Sequence, residues 1–173
     1  MNRICFVTGG ARSGKSTFAL SLAEGYEEKI FLATAEPFDT EMHERIERHR
    51  LERADAFTTL EEPLELGRVL RHLPSATGLV LVDCLTVWTG NLLYYSNQHG
   101  QAGMERLIAE FLSVLEEPPC PLILVTNEIG MGIVPDNPLS RAFRDLAGTI
   151  NQRAAALSTE AYLLCSGLPI RLR

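Results

Sequence analysis

Lysine is almost absent from this chain of 173 residues: of its 16 basic side chains only Lys15 and Lys29 are lysine, and the remaining 14 are arginine. Neither lysine lies in an N-K-x-D sequence, so the guanine-reading motif of switch GTPases is missing and that class is excluded. Cysteines number four. Cys5, Cys84, Cys120 and Cys165 are far apart, each in or beside an apolar stretch, and form no C-x-x-C pair, which argues against a disulfide framework or a zinc site. There is no basic surplus either. The charge balance of 16 against 22 leaves −6, unsuited to sequence-independent nucleic-acid binding, which needs cations to neutralise phosphates. No apolar run nears the ~20 residues of a membrane span, and the N-terminus enters a strand-like segment without a signal-peptide pattern. A cytoplasmic location is expected.

What is present suits one globular domain over residues 1–173. Apolar residues make up 46% of the chain, and a chain of this length buries roughly 70% of its unfolded surface, enough for a core without metal or disulfide staples. Short runs rich in Val, Ile and Leu recur at 4–8, 30–33, 79–83, 122–126 and 161–165, as expected of strands buried on both faces. Helical spacing at 15–24, 63–73, 104–117 and 139–157 separates them, with Pro63 placed in a first helical turn. The alternation implies a parallel α/β sheet. Ligands of such sheets collect at the carboxyl ends of the strands. Four of those ends stand out: residues 9–16, 33–39, 83–86 and the long Gly- and Pro-rich loop 127–138.

The first carries the strongest signal. Gly9, Gly10, Ala11, Arg12, Ser13, Gly14, Lys15 and Ser16 fit G-x-x-x-x-G-K-[ST] between a buried strand and a helix. Glycines let successive backbone N–H groups curl around phosphate oxygens, and the helix beginning near Lys15 adds its positive end. Lys15 reaches the β- and γ-phosphates in this reading, and Ser16 holds Mg²⁺. Asp83, closing the run Leu79-Val80-Leu81-Val82, is a second magnesium candidate, with its strand expected beside the P-loop strand; the alternative is a cap on the following helix.

Residues 39–53 are densely charged, and a solvated surface helix is the simplest reading. Yet Met42, Ile46, His49 and Arg53 recur at i, i+4, i+7 and i+11, placing His49 on an inward-facing stripe. A neutral imidazole there, its pKa lowered by neighbouring arginines, could attack phosphorus. His43 and His49, six apart, do not suit two metal ligands on one helix face; His72, at a helix end, and His99, in a polar loop, read as surface residues. Trp88, Leu92 and Leu93 read as core. Arg141, Arg144 and Asp145 share a helical face that is either a salt-bridged surface or a phosphate clamp.

With these residues in view, nearly the whole chain resembles the bifunctional adenosylcobinamide kinase / adenosylcobinamide-phosphate guanylyltransferase family of cobalamin assembly. The matching segments are GGARSGKS (9–16), ATAEPFDTEM (33–42), RIERHRLER (45–53), VLVDCLTVW (80–88), TNEIGMGIVPDNPLSRAFRDLAGTINQ (126–152) and GLP (167–169). The R-I-x-x-H-R-x-x-R block joined to the N-E-x-G-x-G-I-V-P loop is far more particular than the P-loop. The fold it implies is a single-domain α/β P-loop NTPase of the RecA-like kind, a mostly parallel central sheet flanked by helices. The implied chemistry is phosphorylation of adenosylcobinamide by ATP or GTP, then transfer of GMP from GTP to that phosphate. His49 is the position matching the family's GMP-carrying histidine, and Lys15 serves the phosphates. By the same carry-over Ala33, Thr34, Ala35, Arg50, Leu51, Glu52, Arg53, Glu61 and Asp83 contact nucleotide, Glu61 sharing its claim with Glu62, either of which could cap the helix at Pro63. Mg²⁺ is the implied cofactor and a homotrimer the implied assembly. Asn127, Glu128 and residues 130–135 either fold over the corrinoid or line a subunit contact. The rival reading is a single-activity P-loop kinase of another small metabolite.

Overall fold

A computed structural model describes residues 2–36 and 56–173. Seven strands form one sheet: β1 (Ile4–Gly9), β2 (Lys29–Ala33), β3 (Thr58–Glu61), β4 (Leu79–Asp83), β5 (Leu122–Val125), β6 (Glu160–Cys165) and β7 (Leu168–Arg171). Their order is β3-β2-β4-β5-β1-β6-β7. Every pairing is parallel except β6 with β7. The sequence anticipates five of the seven strands. β3 and β7 are the two edges and only four residues long each: Thr58–Glu61 holds a single apolar residue, Leu60, and in Leu168–Arg171 the apolar Leu168 and Ile170 are split by Pro169, so neither shows the continuous run that marks the inner strands. Pro169 is tolerated in β7 because an edge strand need not use every donor.

Alternation along the inner strands divides the core. Ile4, Phe6, Ile30, Leu32, Val80, Val82, Leu122 and Leu124 face one side, where they meet helices α2 (Leu66–Arg71), α3 (Leu85–His99), α4 (Gln101–Glu116) and α5 (Pro138–Leu157). Cys5, Val7, Phe31, Leu79, Leu81, Ile123 and Val125 face the other, against Ala19 and Ala23 of the helix α1 (Lys15–Leu22) and the turn that follows it. Strands buried on both faces read as continuous apolar runs for this reason. Trp88 and Leu92 are fully buried, Trp88 packing edge-on against Phe111 at 4.9 Å, and Leu93 packs against the same core.

Two helix boundaries and one strand neighbour differ from the sequence reading. Pro63 precedes α2 rather than entering its first turn, because Glu62 accepts N–H bonds from Leu64 and Glu65 (2.9 Å each) and holds the chain in a turn there. His99 is the last residue of α3 rather than part of a polar loop, the helix running on until Gly100, whose positive φ ends it. The strand carrying Asp83 is not beside β1: β5 lies between them. At α5, by contrast, the expected signals act together, Pro138 following Asn137, whose carbonyl oxygen Oδ1 caps the N–H of Ser140 at 2.8 Å.

Candidate functional site

β1 ends at the carboxyl edge of the sheet and delivers residues 9–16 directly into the N-terminus of α1. Gly14, at φ 93°, makes the left-handed turn that starts the helix. The loop rests on the hairpin between β6 and β7, where Ser166 (φ 52°) and Gly167 (φ 84°) form a two-residue turn. Gly167 N–H donates to the Ser13 carbonyl at 2.9 Å. A Cβ on Gly14 would stand 3.1 Å from the Cα of Gly167, and one on Gly9 would stand 2.5 Å from the Leu164 carbonyl oxygen. The loop therefore has glycine where neighbouring backbone crowds it. Gly10, Ala11 and Arg12 are exposed on the crest. Lys15 is buried, and its Nζ donates to the Gly10 carbonyl at 2.6 Å and lies 3.4 Å from Ser13 Oγ, so the ammonium sits within the curl of the loop.

Across the carboxyl edge, Asp83 pairs with Val125, and Val125 with Val7. Asp83 is thus level with Val7, two residues before the end of β1, at two strand spacings, about 10 Å. Ser16, at the start of α1, and Asp83, at the end of β4, are the two oxygen donors expected from the sequence to serve a cation. Both residues are half-buried, and the Ser16 hydroxyl makes no hydrogen bond among the described residues. Two hard oxygen donors fit Mg²⁺, which takes few protein ligands and keeps its waters. Cys84 next to Asp83 is no nucleophile at neutral pH: burial, aided by the Asp83 charge, pushes its thiol up to about 11.

The end of β2 locks onto this strand. Thr34 is fully buried; its Oγ1 accepts from Cys84 N–H (2.8 Å) and donates to the Cys84 carbonyl (2.9 Å), while its own carbonyl accepts from Asn91 Nδ2 (2.8 Å). Thr34 therefore spends its polar groups on protein partners, and its half-buried neighbours Ala33 and Ala35 flank the edge. Glu61 is exposed and pairs in register with Ala33, whereas Glu62 is the one that caps the turn. His49, Arg50, Leu51, Glu52 and Arg53 lie outside the described residues.

Sequence reasoning missed a buried ring behind the loop. Asn127 N–H donates to Thr86 Oγ1 (2.6 Å), Thr86 to Thr126 Oγ1 (3.0 Å) and Thr126 to Asn151 Oδ1 (2.9 Å); Asn151 Nδ2 returns to the Asn127 carbonyl (3.3 Å). Because Thr126 gives its proton to Asn151, Thr86 must be the donor of the middle bond. The ring fixes Thr126 and Asn127, the first two residues after β5, and the next, Glu128, donates its N–H to the Gly9 carbonyl at 3.0 Å. Beyond it a cleft of about 490 Å³ runs between α3 and α5, lined by Thr86, Val87, Gly90, Asn91, Tyr94 and Phe143.

The fold itself is shared with P-loop proteins. A KaiC-like protein of Pyrococcus horikoshii aligns over 93% of this chain and 70% of its own, with 14% identity and a TM-score of 0.50. A prototypical ATPase of a bacterial type III secretion system aligns over 93% of this chain at 9% identity and a TM-score of 0.57; the chain spans half of that protein. Sequence likeness is much closer elsewhere. The bifunctional adenosylcobalamin biosynthesis protein CobP of Pseudomonas aeruginosa is 41% identical, covering 96% of this chain and 95% of its own. The corresponding CobU proteins of Salmonella typhimurium and Escherichia coli are 37% and 35% identical, each covering 96% of this chain and 98% of its own. A family model described as cobinamide kinase / cobinamide phosphate guanyltransferase matches residues 5–172. From the strand before the phosphate loop to the final hairpin that supports it, this chain belongs to that family.

Proposed function

We propose that the protein phosphorylates the hydroxyl of adenosylcobinamide and then transfers GMP from GTP to the new phosphate, yielding adenosylcobinamide-GDP. The observation that carries this reading is the family match over residues 5–172 together with a glycine-built loop whose Lys15 ammonium lies inside its curl. In the first reaction the substrate oxygen attacks the γ-phosphorus, the bond to the β-phosphate oxygen breaks, and the hydroxyl proton leaves to solvent. Lys15 and the N-terminus of α1 hold the leaving diphosphate. Mg²⁺, which Ser16 and Asp83 would hold, supplies charge neutralisation at the phosphate oxygens.

The second reaction is split in two. His49 attacks the α-phosphorus of GTP, expelling pyrophosphate and forming an N–P bond; an oxygen of the cobinamide phosphate then displaces the histidine. Splitting the transfer lets two polyanions bind in turn rather than together. Ala33, Ala35, Arg50, Leu51, Glu52, Arg53 and Glu61 are the proposed nucleotide contacts, with Thr34 holding the edge from beneath. The cleft between α3 and α5 begins at Thr86, three residues after Asp83, and offers an apolar wall to a bulky acceptor. The protein is proposed to work in the cytoplasm as a trimer.

The test is incubation with α-labelled GTP and Mg²⁺ followed by denaturing electrophoresis. The unaltered chain should acquire acid-labile, base-stable label and lose it when cobinamide phosphate is added. His49→Asn keeps polarity and approximate size without the nucleophilic nitrogen, and should stay unlabelled while still phosphorylating cobinamide. Full labelling of the variant would move the nucleophile elsewhere, and absence of both activities from the unaltered chain would sink the reading.

A further inference from the structure

α5 runs antiparallel to β5. Its residue Asn151 bonds to Thr126 and Asn127 at the carboxyl end of β5, and just past its C-terminus Thr159 N–H donates to the Ile4 carbonyl (2.9 Å) at the amino end of β1. Counting back from Asn151, Arg144 lies seven residues nearer the N-terminus. Seven residues are almost two turns, so Arg144 shares the inward face of Asn151 and Ala147 but stands about 10 Å further along the axis. That carries it past the strand ends, into the crevice where ligands of an open α/β sheet collect. Glu128, bonded to Gly9, joins the same crevice to the phosphate loop.

The three polar residues of this helical face have different fates. Arg141 donates Nη1 to the carbonyls of Pro135 (3.0 Å) and Asp136 (2.6 Å) and so braces the loop before the helix. Asp145 is exposed. Arg144 makes no ion pair or hydrogen bond among the described residues, and its Nη1 is buried with no partner. A buried guanidinium donor left unpaired is costly, and few such groups persist in a native protein without a reason. The planar fork of arginine matches phosphate oxygens.

We propose that Arg144 binds a phosphoryl oxygen in the reaction crevice, an assignment that rests on the reading above that a polyphosphate and a phosphorylated acceptor meet there. The phosphoryl group belongs either to the terminal position of the nucleoside triphosphate or to the acceptor. Arg144→Gln in the full chain, titrated calorimetrically with GTP and with GDP and assayed for KM toward cobinamide phosphate, tells them apart. Loss of at least about tenfold in GTP affinity, with GDP within twofold, assigns the terminal phosphate. Unchanged nucleotide affinities with an at least about tenfold higher KM assign the acceptor phosphate. Arg144→Lys keeps the charge without the fork and should recover part of either loss; should the glutamine variant fail to fold, the lysine variant decides by the same criteria.

All three quantities within twofold of the original, or equal losses for GTP and GDP with a lowered melting temperature, would overturn the assignment. If the unaltered chain does not turn over cobinamide, the comparison of GTP with GDP still decides Arg144, and an unchanged ratio then refutes it.

Discussion

At the scale of single residues, position in sequence and position in space coincide for the phosphate loop and diverge elsewhere. Lys15 follows Gly14 in the chain and returns to Gly10 in the fold, so a local motif describes the whole device. Lys15→Ala should disable both proposed reactions, since each needs the polyphosphate held. Removing one preorganised charge-stabilising donor costs on the order of 3 kcal/mol, or at least about a hundredfold in rate. Steady-state rates for phosphorylation and for GMP transfer check this, and near-normal turnover of either would remove the loop as the shared phosphate site. Thr86, Thr126 and Asn151 show the opposite case. With Asn127 they form one closed ring although 65 residues separate the first from the last, and a threonine at a strand end carries no mark of its future partner.

At the scale of elements, β1 is held on both sides. On one side Arg3, just before it, grips Glu160 of β6 through two bonds of 2.8 and 2.9 Å, with Tyr162 donating to the same carboxylate at 3.0 Å. The Arg3 bond is the main cause that holds the Glu160 carboxyl below its ordinary value. A depressed carboxyl contributes stability that is complete above the unfolded pKa, about 4.3, and is lost as the pH falls through the folded value. Glu160→Gln should therefore lower the denaturant midpoint at pH 7, and the gap from the unaltered chain should close below about pH 4. A gap that does not change with pH would mean that the pair acts through packing alone. The hairpin beyond β6 was partly legible, since Ser-Gly between apolar residues marks a turn. Its contact with the phosphate loop was not, because Ser13 and Gly167 meet only once β6 lies beside β1.

At the scale of the whole molecule, the surface carries an apolar stretch. Met131, Ile133, Val134 and Leu139 are between 60% and 97% exposed along the loop after β5 and the start of α5. Surface of this kind marks an interface or a ligand wall more often than bare solvent contact. The proposed trimer predicts a sedimentation mass of about 58 kDa, three times the 19.2 kDa of one chain. A 19 kDa species at micromolar concentration would refute the trimer and leave the loop to a ligand.

By itself the sequence determined the class of fold, the inner strands and the phosphate loop, because each is written in neighbouring residues: apolar runs for strands buried on both faces, glycines and one lysine for the cradle. Strand order was decided only by tertiary structure. Nothing in the run ending at Asp83 states that β5 will stand between it and β1, since a buried parallel strand offers the same apolar faces and the same backbone ladder to any neighbour. The two edge strands escaped notice for a related reason: each is four residues long, and neither carries the unbroken apolar run of a strand buried on both faces. The division between Arg141 and Arg144 is of the same kind: three residues apart on one helix, they differ only in that carbonyls of a preceding loop fold back to one and leave the other's Nη1 without a partner.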